Sequence, residues 1–531
     1  MFWTWSQPCF VPVPKTIKLK MKKEESRGFS WDFYSGIIVA VYALFQVLRW
    51  GLLPQFMDIY YHIQTAWGFL QAGGYSGWDF WQYAPYGRLH IYPPFFHIVL
   101  AFFIKLGVDK IILAKLCEVA IPVVFFVVLR NFTRRNFSSS FAFFSLIALN
   151  ASFSFYNSLT NHLPATLTAI FGLLAFDGIL KKQSIRPLLW LVLGFYTHIG
   201  MSWFWIMAVL LYGLINKEYR RLGITIFISS LVLSGPILFK QLVGLRVISI
   251  SGIYERYFCE FKTVEYLFAF LGLWLVLIRE KKFLFFLSLF MASFIFLPYP
   301  YRFFSAQGYL PVGLLAAVSL DYLYKEAKGR AIFKYLCLFG ALYMFVLSAT
   351  VQMQLSEKDK KIRFKSYLAD SAFTNMLFPL KEKRTASISL WFPKDYLPIR
   401  EIIKINSDEK DIVSSSLSYV GVCLASISGR ACANGLFPEI TPLKRFEPFA
   451  VSKIAVTAID ENPSWLAKVT KRYKLNKVGE TEMFDVYRNS ACSVKMQVRK
   501  ASVAFGWIIL LMGIWLALFL KAKKIEGILK K

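Results

Sequence analysis

Apolar runs of about 15–20 residues, near the length of a membrane-spanning helix, recur along most of this chain and constrain its fold more than any other feature. Hydrophobic residues make up 56% of the 531 residues, whereas soluble domains average roughly 45–50%. The runs occupy positions 34–54, 93–107, 110–129, 140–157, 163–180, 187–198, 202–216, 222–240, 264–278, 283–297, 305–322, 332–350 and 502–520. This pattern predicts a polytopic α-helical membrane protein.

The lysines and arginines, which give the chain a net charge of +30, gather between the apolar runs. Such clusters occupy positions 181–186, 216–221, 279–282, 325–330 and 521–524. This is the positive-inside pattern, so we expect these loops and both termini in the cytoplasm, and no nucleic-acid partner. Residues 1–33 would form a cytoplasmic N-terminal segment, with Met1 and Met21 both open as start sites.

Two cytoplasmic termini require an even number of membrane crossings, and the apolar runs number thirteen. The segment 93–107 is the one expected not to span, because it is only about 15 residues long and a span needs about 20. We therefore predict about twelve spanning helices and one short re-entrant or interfacial segment. The transmembrane domain would cover residues 34–350 and would present a first outer loop, 55–92.

Residues 351–500 have a different pattern, which is typical of a small α/β domain. Strands are predicted at 411–416, 454–460 and 481–489, and helices at 417–428 and 462–473. We expect this domain on the exterior, held by a C-terminal transmembrane anchor and basic tail, 501–531. Cys423 and Cys432 lie within it, either as a disulfide or as two buried thiols.

The residues suited to chemistry gather in the first outer loop, where positions 58–97 read DIYYHIQTAWGFLQAGGYSGWDFWQYAPYGRLHIYPPFFH. An aromatic belt at the membrane interface accounts for its tryptophans and tyrosines, but not for Asp58, Asp79 or Arg88. All five histidines of the chain fall at or near the predicted outer face, which indicates a polar site there. They are His62, His90, His97, His162 and His198.

An acid shortly after the first helix, a Tyr/His pair and the run YAPYGR…YPP resemble the first outer loop of GT-C glycosyltransferases. These multi-pass enzymes take a sugar from a polyprenyl-phosphate or polyprenyl-diphosphate carrier. The resemblance is closest to the archaeal and bacterial branch that includes oligosaccharyltransferase catalytic subunits and protein mannosyltransferase-like enzymes. It implies a GT-C-like bundle in a prokaryotic cell membrane, a polyprenyl-phosphate sugar donor, and a protein, lipid or glycan acceptor.

By this resemblance Asp58 occupies the position of the family's first-loop acid, which either activates the acceptor as a general base or binds a divalent metal ion. His62 is its predicted catalytic companion. The metal question is open, with Asp58 and His162 as candidate ligands for Mg²⁺ or Mn²⁺. Arg302, and less directly Arg88, are predicted to bind the donor phosphate through the guanidinium fork. For Arg302, an interfacial arginine that reaches the lipid headgroups is the alternative.

Four further side chains are predicted as acceptor-site or accessory groups: Asp79, His90, His162 and His198. For His162 and His198, capping of a helix end is the alternative. The second outer loop carries Asn161 and His162 where oligosaccharyltransferases carry an Asp-x-Glu motif. This departure favours transfer of a single sugar over transfer of a lipid-linked glycan to protein.

A lipid or solute transporter is the rival of a different class. Transporters usually show inverted repeats and interrupted helices near the membrane midplane. No internal repeat occurs in the sequence, and the ionisable candidates cluster at one predicted face. An enzyme that works at the outer leaflet is therefore the preferred prediction.

The predicted topology can be checked by cysteine labelling in intact cells. In Lys181→Cys and Ile525→Cys variants we expect no reaction with a membrane-impermeant maleimide until the membrane is permeabilised, because both positions lie in cytoplasmic basic segments. Labelling of either position from outside would contradict the topology.

Overall fold

The computed structural model describes residues 30–54, 58–247, 258–279, 281–327, 331–355, 361–372, 374, 393–436, 440, 442, 444 and 446–529. Most of the predicted cytoplasmic segment 1–33 lies outside these residues. The helices are α1 (Trp31–Leu48), α2 (Asp58–Ala72), α3 (Phe95–Lys105), α4 (Lys110–Asn136), α5 (Ser139–Asn150), α6 (Phe153–Asn161), α7 (Leu163–Leu180), α8 (Ile185–Phe195), α9 (Ile199–Ile215), α10 (Arg220–Leu233), α11 (Gly235–Gly244), α12 (Thr263–Ile278), α13 (Leu284–Ser293), α14 (Tyr309–Glu326), α15 (Ala331–Val346), α16 (Pro393–Asn406), α17 (Ser418–Ser428), α18 (Pro448–Val451), α19 (Pro463–Tyr473) and α20 (Phe505–Leu529).

Five of the described helical segments are long and apolar enough to cross a membrane, or up to seven when each of two bent pairs counts as one span. The five are Trp31–Leu48, Lys110–Asn136, Leu163–Leu180, Tyr301–Glu326 and Phe505–Ala522. Other apolar helices, such as α3 and α8, have 11 residues each. The chain is thus a multi-pass membrane protein, and the predicted count of about twelve spans is not confirmed. The segment 93–107 contains α3, and its not crossing the membrane stays a prediction.

The predicted helix 140–157 is two helices, because the chain bends by 88° between α5 and α6. A side-chain cap starts each of them. Ser138 accepts a hydrogen bond from the backbone N–H of Phe141, and Ser152 accepts one from that of Phe155. A serine side chain that satisfies free N–H groups in this way begins a new helix. The bend directs α6 toward the connection at His162.

A five-stranded mixed sheet forms the centre of the predicted α/β domain. Numbered along the whole chain, its strands are β7 (Ile412–Ser415), β8 (Ala431–Cys432), β9 (Ile454–Ala458), β10 (Leu475–Glu480) and β11 (Phe484–Asn489). They lie in the order β10-β11-β9-β7-β8. β7 pairs in parallel with β8 and β9, and the β9–β11–β10 pairs are antiparallel. The predicted strands and helices of 411–489 are confirmed, whereas β8 and β10 were not predicted. Cys423 and Cys432 are free buried thiols, so the disulfide alternative is wrong.

Seven further strands form small sheets around the first loop and the bundle. β1 (Gly74–Tyr75) pairs with β12 (Val503–Ala504), and β2 (Trp78–Asp79) pairs with β3 (Arg88–Leu89). The other sheet has the order β4-β5-β6, from Phe258–Lys262, Leu347–Leu355 and Ile362–Asp370. The predicted helix 332–350 therefore ends at Val346, where β5 begins. The start of the segment assigned to the α/β domain belongs to this separate sheet.

Glycine allows two of the central helices to approach closely. A Cβ added at Gly272 of α12 would overlap the backbone carbonyl oxygen of Leu315 in α14. Small residues at such a crossing let membrane helices pack through their backbones. By contrast, a Cβ at Gly340 of α15 would meet nothing within 4 Å.

We expect Gly272→Ala to destabilise the bundle by about 1–3 kcal/mol, because the new methyl group forces α12 away from α14. The matched control is Gly340→Ala, which removes backbone freedom from a helix without a clash and should leave stability unchanged or slightly higher. The measurement is thermal unfolding of both variants in the same detergent. Equal melting temperatures for Gly272→Ala and the parent would contradict this packing.

Candidate active site

Asp58 is the first residue of α2. Its carboxylate contacts the imidazole of His162, which lies between α6 and α7. Its Oδ2 lies 2.8 Å from Nδ1 of His162, although 104 residues separate the two along the chain. The partial positive charge of a helix N-terminus stabilises a carboxylate at this position. The two side chains are 15% and 18% exposed, so the pair is accessible. An accessible carboxylate held by an imidazole is suited to accept a proton from an acceptor.

His162 lies between α6 and α7 and makes no side-chain capping hydrogen bond at the start of α7. The capping alternative therefore does not describe it. His198, by contrast, caps α9, because its Nδ1 accepts a hydrogen bond from the backbone N–H of Met201 at 3.1 Å. His162 and His198, which were predicted together as accessory groups, thus make different contacts. Only His162 of the two contacts Asp58.

Arg302 lies in a one-turn π-helix, Tyr301–Ser305, shortly before α14. Its guanidinium is 5.3 Å from the ring centre of Tyr299, and the side chain is half-buried. Tyr92 lies within electrostatic range of both Asp58 and Arg302. Burial raises the pKa of the Tyr92 hydroxyl, the Asp58 carboxylate raises it further, and Arg302 opposes them. The cation and the acid predicted from the sequence thus both act electrostatically on Tyr92. π-Helical turns such as the one that holds Arg302 are common at functional sites.

Glu260 of β4 is a second acid in this region, and it was not singled out by the sequence. Its carboxylate accepts hydrogen bonds from the hydroxyls of Ser154 and Tyr367, the latter at 2.9 Å. Tyr301 lies within electrostatic range of Glu260, Asp58 and Arg302, which connects this acid to the same region. In the sequence, Glu260 is one of two acids in the predicted outer loop 241–263. No motif or spacing distinguishes it there from the other acid, Glu255.

His62 and His90 are buried inside the first loop rather than presented at its surface. Nδ1 of His62 lies 2.8 Å from Nε2 of His97, and the rings of His90 and His97 are 5.8 Å apart. Burial lowers the pKa of both His62 and His90, and His97 lowers each further. These are neutral imidazoles in an aromatic core. His62 therefore helps to hold α2 in place. Its geometry gives no support to the catalytic role predicted for it.

Asp79 and Arg88 form a buried ion pair instead of lining an acceptor or donor site. The Arg88 Nε lies 3.0 Å from Oδ2 of Asp79, and each side chain is 1% exposed. Arg88 Nη2 also donates to Oε1 of Gln82 at 3.0 Å. Burial raises the pKa of Asp79, and Arg88 opposes that rise. Because a buried charge needs its partner, the Arg88 guanidinium is committed to the loop and is not placed to bind a donor phosphate.

The described part of the chain contains no group of three or more His, Cys, Asp and Glu side chains that could hold a metal ion. Asp58 and His162 offer two ligands of the predicted site. Protein sites for divalent cations usually need more protein or water oxygen ligands than this pair supplies. The described residues thus do not build a metal centre by themselves, and the divalent cation stays a prediction.

No family model and no curated protein matches the sequence. In fold, the chain is similar to the apo oligosaccharyltransferase of Archaeoglobus fulgidus, with 10% identity, a TM-score of 0.54, and coverage of 88% of this chain and 75% of that one. It is also similar to the archaeal oligosaccharyltransferase AglB from Archaeoglobus fulgidus in complex with an inhibitory peptide and a dolichol-phosphate. That match has 11% identity and a TM-score of 0.51, and it covers 87% of this chain and 75% of that one.

A third similar structure is the arabinofuranosyltransferase AftD from Mycobacteria, at 11% identity with a TM-score of 0.52. The match covers 87% of this chain and 42% of that one. At identities this low the comparison shows a likeness of fold alone. The arrangement of helices, first loop and sheet described above is thus similar in fold to that of two oligosaccharyltransferase structures and an arabinofuranosyltransferase structure.

Proposed function

We propose that this chain is a glycosyltransferase that moves a sugar from a polyprenyl-phosphate-linked donor to an acceptor at the outer membrane face. The observation that carries the proposal is the contact of Asp58 with His162, within a fold similar to that of membrane glycosyltransferases. Arg302 supports it, because Arg302 and Asp58 have opposite electrostatic effects on the same residue, Tyr92. All three residues lie at connections or ends of helices, where a lipid-linked donor and a polar acceptor can meet. The first loop and the five-stranded sheet would lie outside, and both termini in the cytoplasm.

In the proposed reaction, Asp58 takes the proton of the acceptor's nucleophilic group as that atom attacks the anomeric carbon. The bond between the anomeric carbon and the phosphate oxygen breaks, and the electron pair leaves with the phosphate. Arg302 stabilises the negative charge of this leaving group. His162 holds the Asp58 carboxylate in one orientation throughout, as a positioning residue.

The acceptor class is a protein, a lipid or a glycan. The AglB complex holds an inhibitory peptide and a dolichol-phosphate, which supports a lipid-linked donor and makes a peptide acceptor a candidate. Asn161 and His162, in place of an acidic motif, favour the transfer of one sugar over the transfer of a whole glycan to asparagine. The corresponding assay supplies the purified protein with radiolabelled polyprenyl-phosphate sugars and measures label that leaves the lipid.

Asp58→Asn should lower turnover by about 10²–10⁴-fold, because the amide keeps the shape of the side chain and loses its basicity. Donor binding should change little, since the carboxylate acts in the transition state. The matched control is Asp460→Asn, an exposed aspartate of the α/β domain, which should retain full activity. Sugar transfer and donor affinity are measured for both variants.

Normal turnover of a folded Asp58→Asn protein would disprove the role of this acid. A chelator added to the parent enzyme separates the two chemistries predicted for Asp58. Loss of activity that Mg²⁺ or Mn²⁺ restores would assign Asp58 to a metal site, and full activity would support the general base.

Arg302→Ala should weaken the binding of polyprenyl phosphate by about tenfold or more, because hydrogen bonds from a charged donor are stronger than neutral ones. Stability should fall by only about 1 kcal/mol, since the variant loses a half-buried side chain and its contact with the Tyr299 ring. Arg221→Ala, an exposed arginine at a predicted cytoplasmic loop, is the matched control. Equal affinities of Arg302→Ala, Arg221→Ala and the parent would remove Arg302 from the donor site.

A further inference from the structure

His198 caps helix α9 with only one of its two ring nitrogens. Its Nδ1 accepts the hydrogen bond from the backbone N–H of Met201 and therefore carries no proton. In a neutral imidazole whose Nδ1 is an acceptor, the proton lies on Nε2, which is then a hydrogen-bond donor. The capping contact thus fixes the tautomer of the ring and leaves the Nε2–H group available.

The Nε2–H group of His198 has no hydrogen-bond acceptor among the residues that the structure describes. Only 7% of the residue is exposed, and a polar group at such a depth is usually hydrogen-bonded. The two nitrogens point to opposite sides of the ring, so Nε2–H is directed away from the backbone that Nδ1 caps. A bound ligand with an acceptor atom would complete this group.

The start of α9 packs against the segment that leads to Arg302. A Cβ built at Gly200 would lie 3.5 Å from Cε1 of His198 and 3.8 Å from Cε1 of Phe296. The N–H of Tyr299 donates to the carbonyl of Phe296 at 2.8 Å, and the N–H of Arg302 donates to the carbonyl of Tyr299 at 2.9 Å. Two successive backbone turns thus join the contact at His198 to Arg302.

Tyr92 connects His198 with Arg302 in a second way. Its ring lies 6.2 Å from the ring of His198, at an interplanar angle of 78°. Arg302 acts electrostatically on both Tyr92 and His198. The Arg302 guanidinium lies over the Tyr299 ring and makes no ion pair with a described residue. A cation without an ion-pair partner and a neutral N–H donor are therefore both available to one bound anion.

Helix α9 adds the partial positive charge of its N-terminus to these two groups. The helix is 17 residues long, and His198 is its N-cap residue. The first N–H groups of a helix have no acceptor within the helix, and the aligned peptide dipoles place positive charge at this end. An anion beside Nε2 is therefore stabilised by a hydrogen bond, by the helix dipole and by the charge of Arg302.

We propose that His198 is a second ligand of the donor phosphate, whose oxygen its Nε2–H group binds while Arg302 binds a neighbouring oxygen. A phosphate group has several acceptor oxygens, so it can accept hydrogen bonds from both side chains at once. Because the phosphate stays bound as its bond to the sugar breaks, the same contact stabilises the leaving group. The inference rests on the proposed glycosyltransferase function, which supplies the phosphate-bearing lipid.

Two variants of His198 separate the capping nitrogen from the donor nitrogen. Asparagine is a favoured N-cap residue, so His198→Asn keeps the cap but is too short to place an N–H group at the position of Nε2. In His198→Gln the longer side chain places its amide N–H near that position and leaves the helix start uncapped. Binding of polyprenyl phosphate and of uncharged polyprenol to the full chain in detergent is measured, together with the melting temperature.

His198→Asn should melt near the parent and bind polyprenyl phosphate about tenfold more weakly, since it loses a hydrogen bond to a charged acceptor. His198→Gln should melt at a lower temperature and bind polyprenyl phosphate as tightly as the parent. The affinity for polyprenol should be the same in all three proteins. The matched control is Ser138→Ala, which removes the cap of α5 and should lower the melting temperature without changing either affinity.

Unchanged phosphate affinity of His198→Asn would overturn the inference, and so would an equal loss of affinity for polyprenyl phosphate and polyprenol. A loss in folded His198→Gln as large as that in His198→Asn would also overturn it, because the donor nitrogen would not be the cause. If His198→Gln does not fold, the two lipids compared in His198→Asn still decide. A parent enzyme that binds polyprenyl phosphate through His198 but transfers no sugar would refute the proposed function and leave this inference standing.

Discussion

The position of the candidate catalytic acid depends on backbone hydrogen bonds between the first loop and strand β8. The N–H of Cys432 donates to the carbonyl of Trp81, and Ala84 donates back to the carbonyl of Cys432 at 3.0 Å. Helix α17 of the same domain packs on α2. Since α2 begins at Asp58, whatever fixes α2 also fixes the carboxylate. The α/β domain thus acts on the site from a distance, without supplying a residue that contacts the Asp58–His162 pair among the described residues.

The polar residues in and next to the first loop, together with His162, form one buried set and one partly exposed set. His62, His90 and His97 are buried against aromatic rings, and burial keeps the imidazoles of His62 and His90 neutral by lowering their pKa. A charged imidazole in that core would need a partner that the aromatic rings cannot provide. Asp58 and His162 are 15% and 18% exposed, so an acceptor could reach the proposed base, Asp58. Sequence alone shows histidines near one face, and only burial separates His62, His90 and His97 from His162.

The parts of the fold that follow from local rules were predicted well from the sequence. Helix α7 covers the predicted 163–180, and Asn462 caps α19 as expected from Asn-Pro at a helix start. The bend at Ala151–Ser152 and the strand after Val346 were missed, because apolar composition is the same in a helix, a bent helix and a membrane-proximal strand. The contact of Asp58 with His162 and the position of Glu260 depend on tertiary packing over about a hundred residues, which no local pattern contains.

Exposed apolar side chains do not stop where helix α15 stops, but continue onto strand β6. Hydropathy ends the apolar segment at residue 350, but exposed Phe364 and Leu368 carry the same surface along β6. A lipid-linked substrate has its reacting bond at the headgroup level, because its phosphate cannot enter the hydrocarbon and its chain cannot leave it. The strands β4, β5 and β6 hold Glu260 beside Ser154, where Tyr301 responds electrostatically to both Glu260 and Asp58.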